Sequence, residues 1–188
     1  MREKVYMIYN RKITDGRFDN ISDLIIQKSN DLELVVITSE DTELGYWPKS
    51  MKLCNLVDGV NPTEVLDVIR PFVEQIEQEY NLICTICVYY PSDGYIGWHT
   101  NDNFQFYNAI CSFSTDGKSF FEHIKDNESQ KIYDDIGWYV KKTKWSKENS
   151  VPHRAVSSEH RITITFSSKN ESDCDKFIED ITRIVNDI

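Results

Sequence analysis

Two imidazoles, a neutral oxygen donor and a guanidinium follow one another along this chain in an order that could build a metal site with an anion pocket behind it. Gly97-Trp98-His99-Thr100-Asn101-Asp102 supplies the first imidazole and its neighbours. Pro152-His153-Arg154 supplies the second, and Arg161-Ile162-Thr163 supplies the cation. Two neutral imidazoles and one carboxylate on one face of a metal, with open positions opposite, hold non-haem Fe(II) for oxygen chemistry. A forked guanidinium suits a carboxylate on a second molecule. The carboxylate is expected two residues after His99, where this chain has Asn101; the nearest acid, Asp102, stands one step further on.

The elements that must position these groups are strands. In Tyr95 to His99, alternation places Tyr95, Gly97 and His99 on one face and Ile96 and Trp98 on the other. In Arg161 to Phe166, alternation groups Arg161, Thr163 and Thr165 against an aliphatic face of Ile162, Ile164 and Phe166. If the polar face lines a cavity, Arg161 demands an anion there. Around these lie further short strand patterns at Leu82–Tyr90, Tyr107–Phe113, Ser119–His123, Lys131–Tyr133, Trp138–Trp145 and Val151–Val156. About eight short strands at regular spacing predict a sandwich or barrel.

Helices flank that core. Asn61-Pro62-Thr63-Glu64 is a helix start with cap, first-turn proline and acid in order, and Val65, Leu66, Ile69, Phe72, Val73, Ile76 and Tyr80 recur at helical spacing. Pro71 is expected to kink or split that helix. Ile21–Ser29 predicts a short helix between strands at Lys4–Tyr9 and Leu32–Thr38, and Asp41–Ser50 predicts a loop. Ser172 or Asp173 could cap a last helix whose apolar stripe includes Phe177, Ile178 and Ile181. The fold class expected is α+β, β-rich, with a jelly-roll core flanked by helices. One domain over 1–188 is expected: support elements at 1–80, the core at 82–168 and a terminal helix at 170–188.

Over about Leu82 to Ser168 the chain resembles the Fe(II)- and 2-oxoglutarate-dependent dioxygenases of the double-stranded β-helix fold. It looks most similar to compact stand-alone oxygenases of the kind tailed phages encode, and more distantly to AlkB-type demethylases. The family pattern is a tyrosine, a His-x-Asp or His-x-Glu, a distal His and an Arg-x-Ser/Thr. Here these read Tyr89 or Tyr90, His99-Thr100-Asn101, His153 and Arg161-Ile162-Thr163. The resemblance implies Fe(II), 2-oxoglutarate and O₂ as cofactors, with iron on His99, His153 and either Asn101 or Asp102. It implies that Arg161, Thr163 and Tyr89 or Tyr90 hold the far carboxylate of 2-oxoglutarate. Asp102, directly after the ligand position, has a second implied role against substrate, and Trp98 is read as a core or rim aromatic and a candidate substrate contact.

Bulk properties narrow the partners. A net charge of −10 argues against a tight unaided grip on long nucleic acid. No apolar run approaches membrane-spanning length, and the start lacks a signal-peptide core, so a soluble, cytoplasmic protein is expected. Lys141, Lys142, Lys144 and Lys147 read as a solvated strand and turn. Cys84 and Cys87 should point to opposite strand faces as inert core thiols, with Cys54, Cys111 and Cys174 also reduced. His123 and His160 read as ordinary polar residues.

Two functions fit these residues. One is an oxygenase that hydroxylates a protein side chain, small molecule or modified base while converting 2-oxoglutarate to succinate and CO₂. The other is a non-catalytic jelly-roll binding module whose metal site has degenerated at Asn101.

Overall fold

The computed structural model describes residues 10–28, 35–37, 51–56, 63–101, 105–125, 128–145 and 151–183. The strand predicted at Lys4–Tyr9, the loop at Asp41–Ser50, Asp102, Lys147 and the Asn61-Pro62 cap lie outside them.

Eight strands form the core: β4 (Ile83–Tyr90), β5 (Tyr95–His99), β6 (Phe106–Ser114), β7 (Phe120–Lys125), β8 (Glu128–Tyr133), β9 (Gly137–Trp145), β10 (His153–Val156) and β11 (Arg161–Ser168). They divide between two antiparallel sheets, ordered β9-β6-β11-β4 and β5-β10-β7-β8. Consecutive strands alternate between the sheets except at the β7–β8 hairpin, which is the winding of a double-stranded β-helix, or jelly roll. Strands β1 (Asn10–Lys12) and β3 (Met51–Asn55) extend the first sheet; β3 also pairs with β5 and with β2 (Val35–Ile37), joining the two sheets along one edge. The sequence patterns did not anticipate β1 or β3, both short and of mixed polarity.

All eight residues of β11 are buried, because this strand is central and covered on both faces. Ile162, Ile164 and Phe166 face outward into the main core with Ile69, Phe72 and Ile76 of α2 (Thr63–Tyr80) and Phe177, Ile178 and Ile181 of α3 (Glu171–Ile181). The inward face carries Arg161, Thr163 and Thr165. A smaller cluster between the sheets joins Leu53, Val88, Tyr90 and Ala155. The fold is therefore α+β and β-rich, with a jelly-roll core backed by helices.

Local departures from expectation have physical causes. Helix α2 runs through Pro71 unbroken; that residue is exposed, so water can serve the carbonyl that loses its donor. Asn170, rather than Ser172 or Asp173, is the N-cap of α3. Helix α1 spans Ile21–Lys28, and Ser29 lies outside the described residues. In β4 the register passes from Thr165↔Ile86 to Phe166↔Cys84, so Thr85 is an extra residue in a bulge. That bulge turns Cys84 to the same face as Cys87, correcting the opposite-face expectation, and both border one groove beside Glu77 of α2. Burial pushes the Cys84 thiol up to about 12, which keeps it protonated and inert. None of the helices among the described residues is long and apolar enough to cross a membrane.

Candidate functional site

A second bulge shapes the site. Between β5 and β10 the register steps from His153↔His99 to Ala155↔Ile96, so β5 spends one more residue than its partner. The extra residue brings Ile96 and His99 to the same inner wall, where strict alternation would separate them. Both border a cavity of about 70 Å³ between the sheets, walled by Ile86, Val88, Ile110, Phe121 and Ala155. Its polar lining is His99, Asn101, His153, Tyr90, Arg161, Thr163 and Thr165.

The two imidazoles meet at one end. Their ring centroids are 4.2 Å apart, with planes inclined at 56°. Each ring donates from Nδ1 to a carbonyl two residues earlier in its own chain segment: His99 to Gly97 and His153 to Val151, both at 2.8 Å. A carbonyl can only accept, so each Nδ1 carries a proton, which in the neutral ring leaves the lone pair on Nε2. Backbone bonds of this kind fix the tautomer and orientation that a metal-binding imidazole needs. Asn101 Nδ2 donates to His153 Nε2 at 3.1 Å; a half-turn of the same amide would present its oxygen instead. The donors described thus suit a divalent metal through two nitrogens and one amide oxygen. Among the described residues, no three His, Cys, Asp or Glu side chains are grouped to hold a metal ion. His123 stands opposite His153 on β7 without completing such a group.

Arg161 closes the other end of the cavity, 1% exposed. Its guanidinium lies over the Tyr90 ring, with Cζ 5.2 Å from the centroid. Nη1 donates to Thr163 Oγ1, and Nε donates to Asp134 Oδ2 at 2.7 Å. Asp134 directly follows β8, and its own backbone N–H binds Ser119 O at 2.8 Å, which seats the carboxylate under β11. Its second oxygen accepts from Lys141 Nζ at 2.5 Å, and Lys141 also donates to Ser112 Oγ at 3.0 Å. Burial drives the Asp134 carboxyl upward, but Arg161 and Lys141 outweigh it and hold the group below the ordinary carboxylate range. Burial pulls Lys141 down despite Asp134 beside it. Thr165 Oγ1, on the same inner face as Arg161, is buried with no hydrogen-bond partner.

Alternation separates the two tyrosines. Tyr90 lines the cavity; Tyr89 belongs to the outer core, its hydroxyl 2.6 Å from His160 Nδ1, so it is removed from the site. His160 turns outward with it. Trp98 also faces away from the cavity and stacks under Arg154, whose Cζ is 5.1 Å from its ring; Arg154 itself pairs with Glu122 at 2.5 Å.

The lysine cluster is not the uniformly solvated face expected. Lys141 is 1% exposed and turned between the sheets, whereas Lys142 reaches out to Glu171 and Asp175 of α3, and Lys144 lies over Tyr107. Asp134 and Lys141 are the site-bordering charges that pattern reading missed. The usable signal was alternation in β9, which places Lys141 opposite Val140 and Lys142, but only the packed sheets show that both faces of that strand are covered.

No family model matches the chain, and no curated protein matches it. Among solved structures it is similar to a Trichoplax adhaerens prolyl hydroxylase in complex with a hypoxia inducible factor oxygen degradation domain peptide fragment (TM-score 0.49, 12% identity, covering 90% of this chain and 86% of that one). It is also similar to a Pseudomonas putida prolyl-4-hydroxylase (0.47, 13%, 87% and 92%). A third is a 2OG-Fe(II) oxygenase family oxidoreductase from Burkholderia pseudomallei (0.41, 13%, 82% and 78%). Likenesses this low decide neither fold nor chemistry; the fold is read from the strand order.

Proposed function

We propose that this protein is an Fe(II)- and 2-oxoglutarate-dependent oxygenase acting on a protein side chain, small molecule or modified base, with succinate and CO₂ as co-products. The observation that carries this reading is one cavity with lone-pair nitrogens of His99 and His153 at one end and a buried guanidinium at the other. His99 and His153 would hold the metal, with Asn101 or Asp102 third, and Arg161, Thr163 and Tyr90 would hold the remote carboxylate of 2-oxoglutarate. Iron with O₂ and 2-oxoglutarate supplies the C–H oxidation; the protein supplies orientation and a dry enclosure. The Gly97 and Val151 carbonyls hold both imidazoles in one tautomer and aim them. The aliphatic walls make the lining mostly apolar, and the Asp134 carboxylate holds the guanidinium by its Nε edge.

The test is anaerobic addition of Fe(II) and then 2-oxoglutarate. A weak visible charge-transfer band, with succinate formed once air is admitted, supports the oxygenase; no band at millimolar 2-oxoglutarate rejects it. The binding-module reading draws on one observation, the Asn101 amide donating to His153 Nε2, which occupies a ligand nitrogen. It expects no band and no iron retained after desalting.

A further inference from the structure

Arg161, Asp134 and Lys141 form a sealed charge cluster that does not balance. Exposures are 1%, 0% and 1%, and one carboxylate serves two cations. Two ionisable side chains that neighbour the cluster, Tyr90 and Cys111, are both pushed up by burial and stay neutral, so neither supplies a second negative charge. One positive charge is therefore left in a low-dielectric interior, where an uncompensated charge is costly. Asp134 alone would neutralise Arg161, and a ligand carboxylate entering the cavity would then meet a guanidinium already paired. Lys141 restores the surplus.

The geometry says where that surplus is directed. Asp134 takes the Nε edge of Arg161 and Thr163 takes Nη1; Nη2 hydrogen-bonds to none of the described residues. Further along the same face of β11 and lining the same cavity, Thr165 keeps a buried hydroxyl without a partner, 1% exposed. A guanidinium nitrogen and an orphaned hydroxyl, backed by unbalanced positive charge, make a receptacle for a carboxylate.

We infer that Lys141 is a positioning residue of this anion pocket, supplying through Asp134 the net charge that lets Arg161 bind a ligand carboxylate. The inference rests on the reading of Arg161 as the co-substrate anchor, but it needs neither metal nor turnover. Lys141 never touches the ligand. It keeps Asp134 from cancelling Arg161.

The experiment uses metal-free full-length protein and glutarate, a dicarboxylate without the keto group that chelates metal, with binding followed by calorimetry and thermal shift at fixed ionic strength. Lys141→Met, which leaves the cluster neutral, is expected to weaken glutarate by roughly tenfold or more, in line with loss of one buried charge from an anion site. The double variant Lys141→Met/Asp134→Asn returns the surplus charge to Arg161 alone and is expected to bind within about threefold of wild type. A merely structural lysine would not be rescued by removing its own partner. If Lys141→Met binds like wild type, or the double variant binds no better than the single one, the inference is overturned. Should Lys141→Met fail to fold, the double variant decides alone: tight binding supports the charge argument and tenfold weaker binding refutes it. An absent Fe(II)–2-oxoglutarate band beside intact glutarate binding would remove the oxygenase reading and leave this one standing.

Discussion

Asp134→Asn offers a direct measure of how much of the fold depends on the charge cluster. The substitution keeps the shape of the side chain, so its cost is electrostatic rather than a cavity. Asp134 is fully buried and accepts from Lys141 at 2.5 Å and from Arg161 at 2.7 Å. Opposite charges about 4 Å apart attract by about 4 kcal/mol at an effective dielectric near 20. Two such attractions disappear, while the amide oxygen keeps one hydrogen bond and the two cations begin to repel. Breaking a buried pair from one side costs about 3–5 kcal/mol, and about 4 kcal/mol is expected here. For a chain of this length that is a fall in Tm of roughly 8–16 °C. Urea unfolding followed by tryptophan fluorescence at neutral pH gives the free energy, with Asp15→Asn in the partly exposed Arg17 pair as a control expected to lose about 1 kcal/mol or less. The pH dependence supplies a second check. The folded Asp134 pKa lies below the ordinary value of 3.8, so as pH falls past that value the unfolded chain takes up the proton first. Stability from Asp134 is thus complete above about pH 5 and is lost as pH drops through the lowered folded value. The variant should lack that part of the acid loss. A destabilisation under about 1 kcal/mol, or an acid limb identical to wild type, would refute a charge cluster of this strength.

Other outcomes follow from the same geometry. His153→Ala should abolish Fe(II) retention in equilibrium dialysis, while Arg161→Met should leave metal binding intact and raise the 2-oxoglutarate concentration needed for the visible band. Tyr90→Phe should weaken that co-substrate and Tyr89→Phe should not, since only Tyr90 borders the cavity; equal effects on its KM would contradict the facing of β4. Thr165→Val replaces an unpartnered buried hydroxyl by a methyl, so the free protein should gain about 1 kcal/mol in urea unfolding while glutarate binding weakens.

The core strands and the facing of β11 were legible in the chain because short alternating patterns bounded by turns carry their own period. His99, His153 and Arg161 could be joined from spacing, and the structure brings them to one cavity. Three matters escaped. The bulges at Thr85 and in β5 shift facing by one residue, and a bulge is chosen by how a strand fits its neighbours. The direction of Lys141 depends on which sheet face is covered, and β9 reads the same way whether its polar face meets water or a second sheet.

Residue order alone therefore determined which groups are available for chemistry and the strand periods that carry them, since both are local properties of the polymer. Tertiary structure decided what is buried. Sealing Arg161, Lys141 and Asp134 between two sheets turns three ordinary side chains into an unbalanced charge, because the cost of that imbalance exists only once water has been excluded.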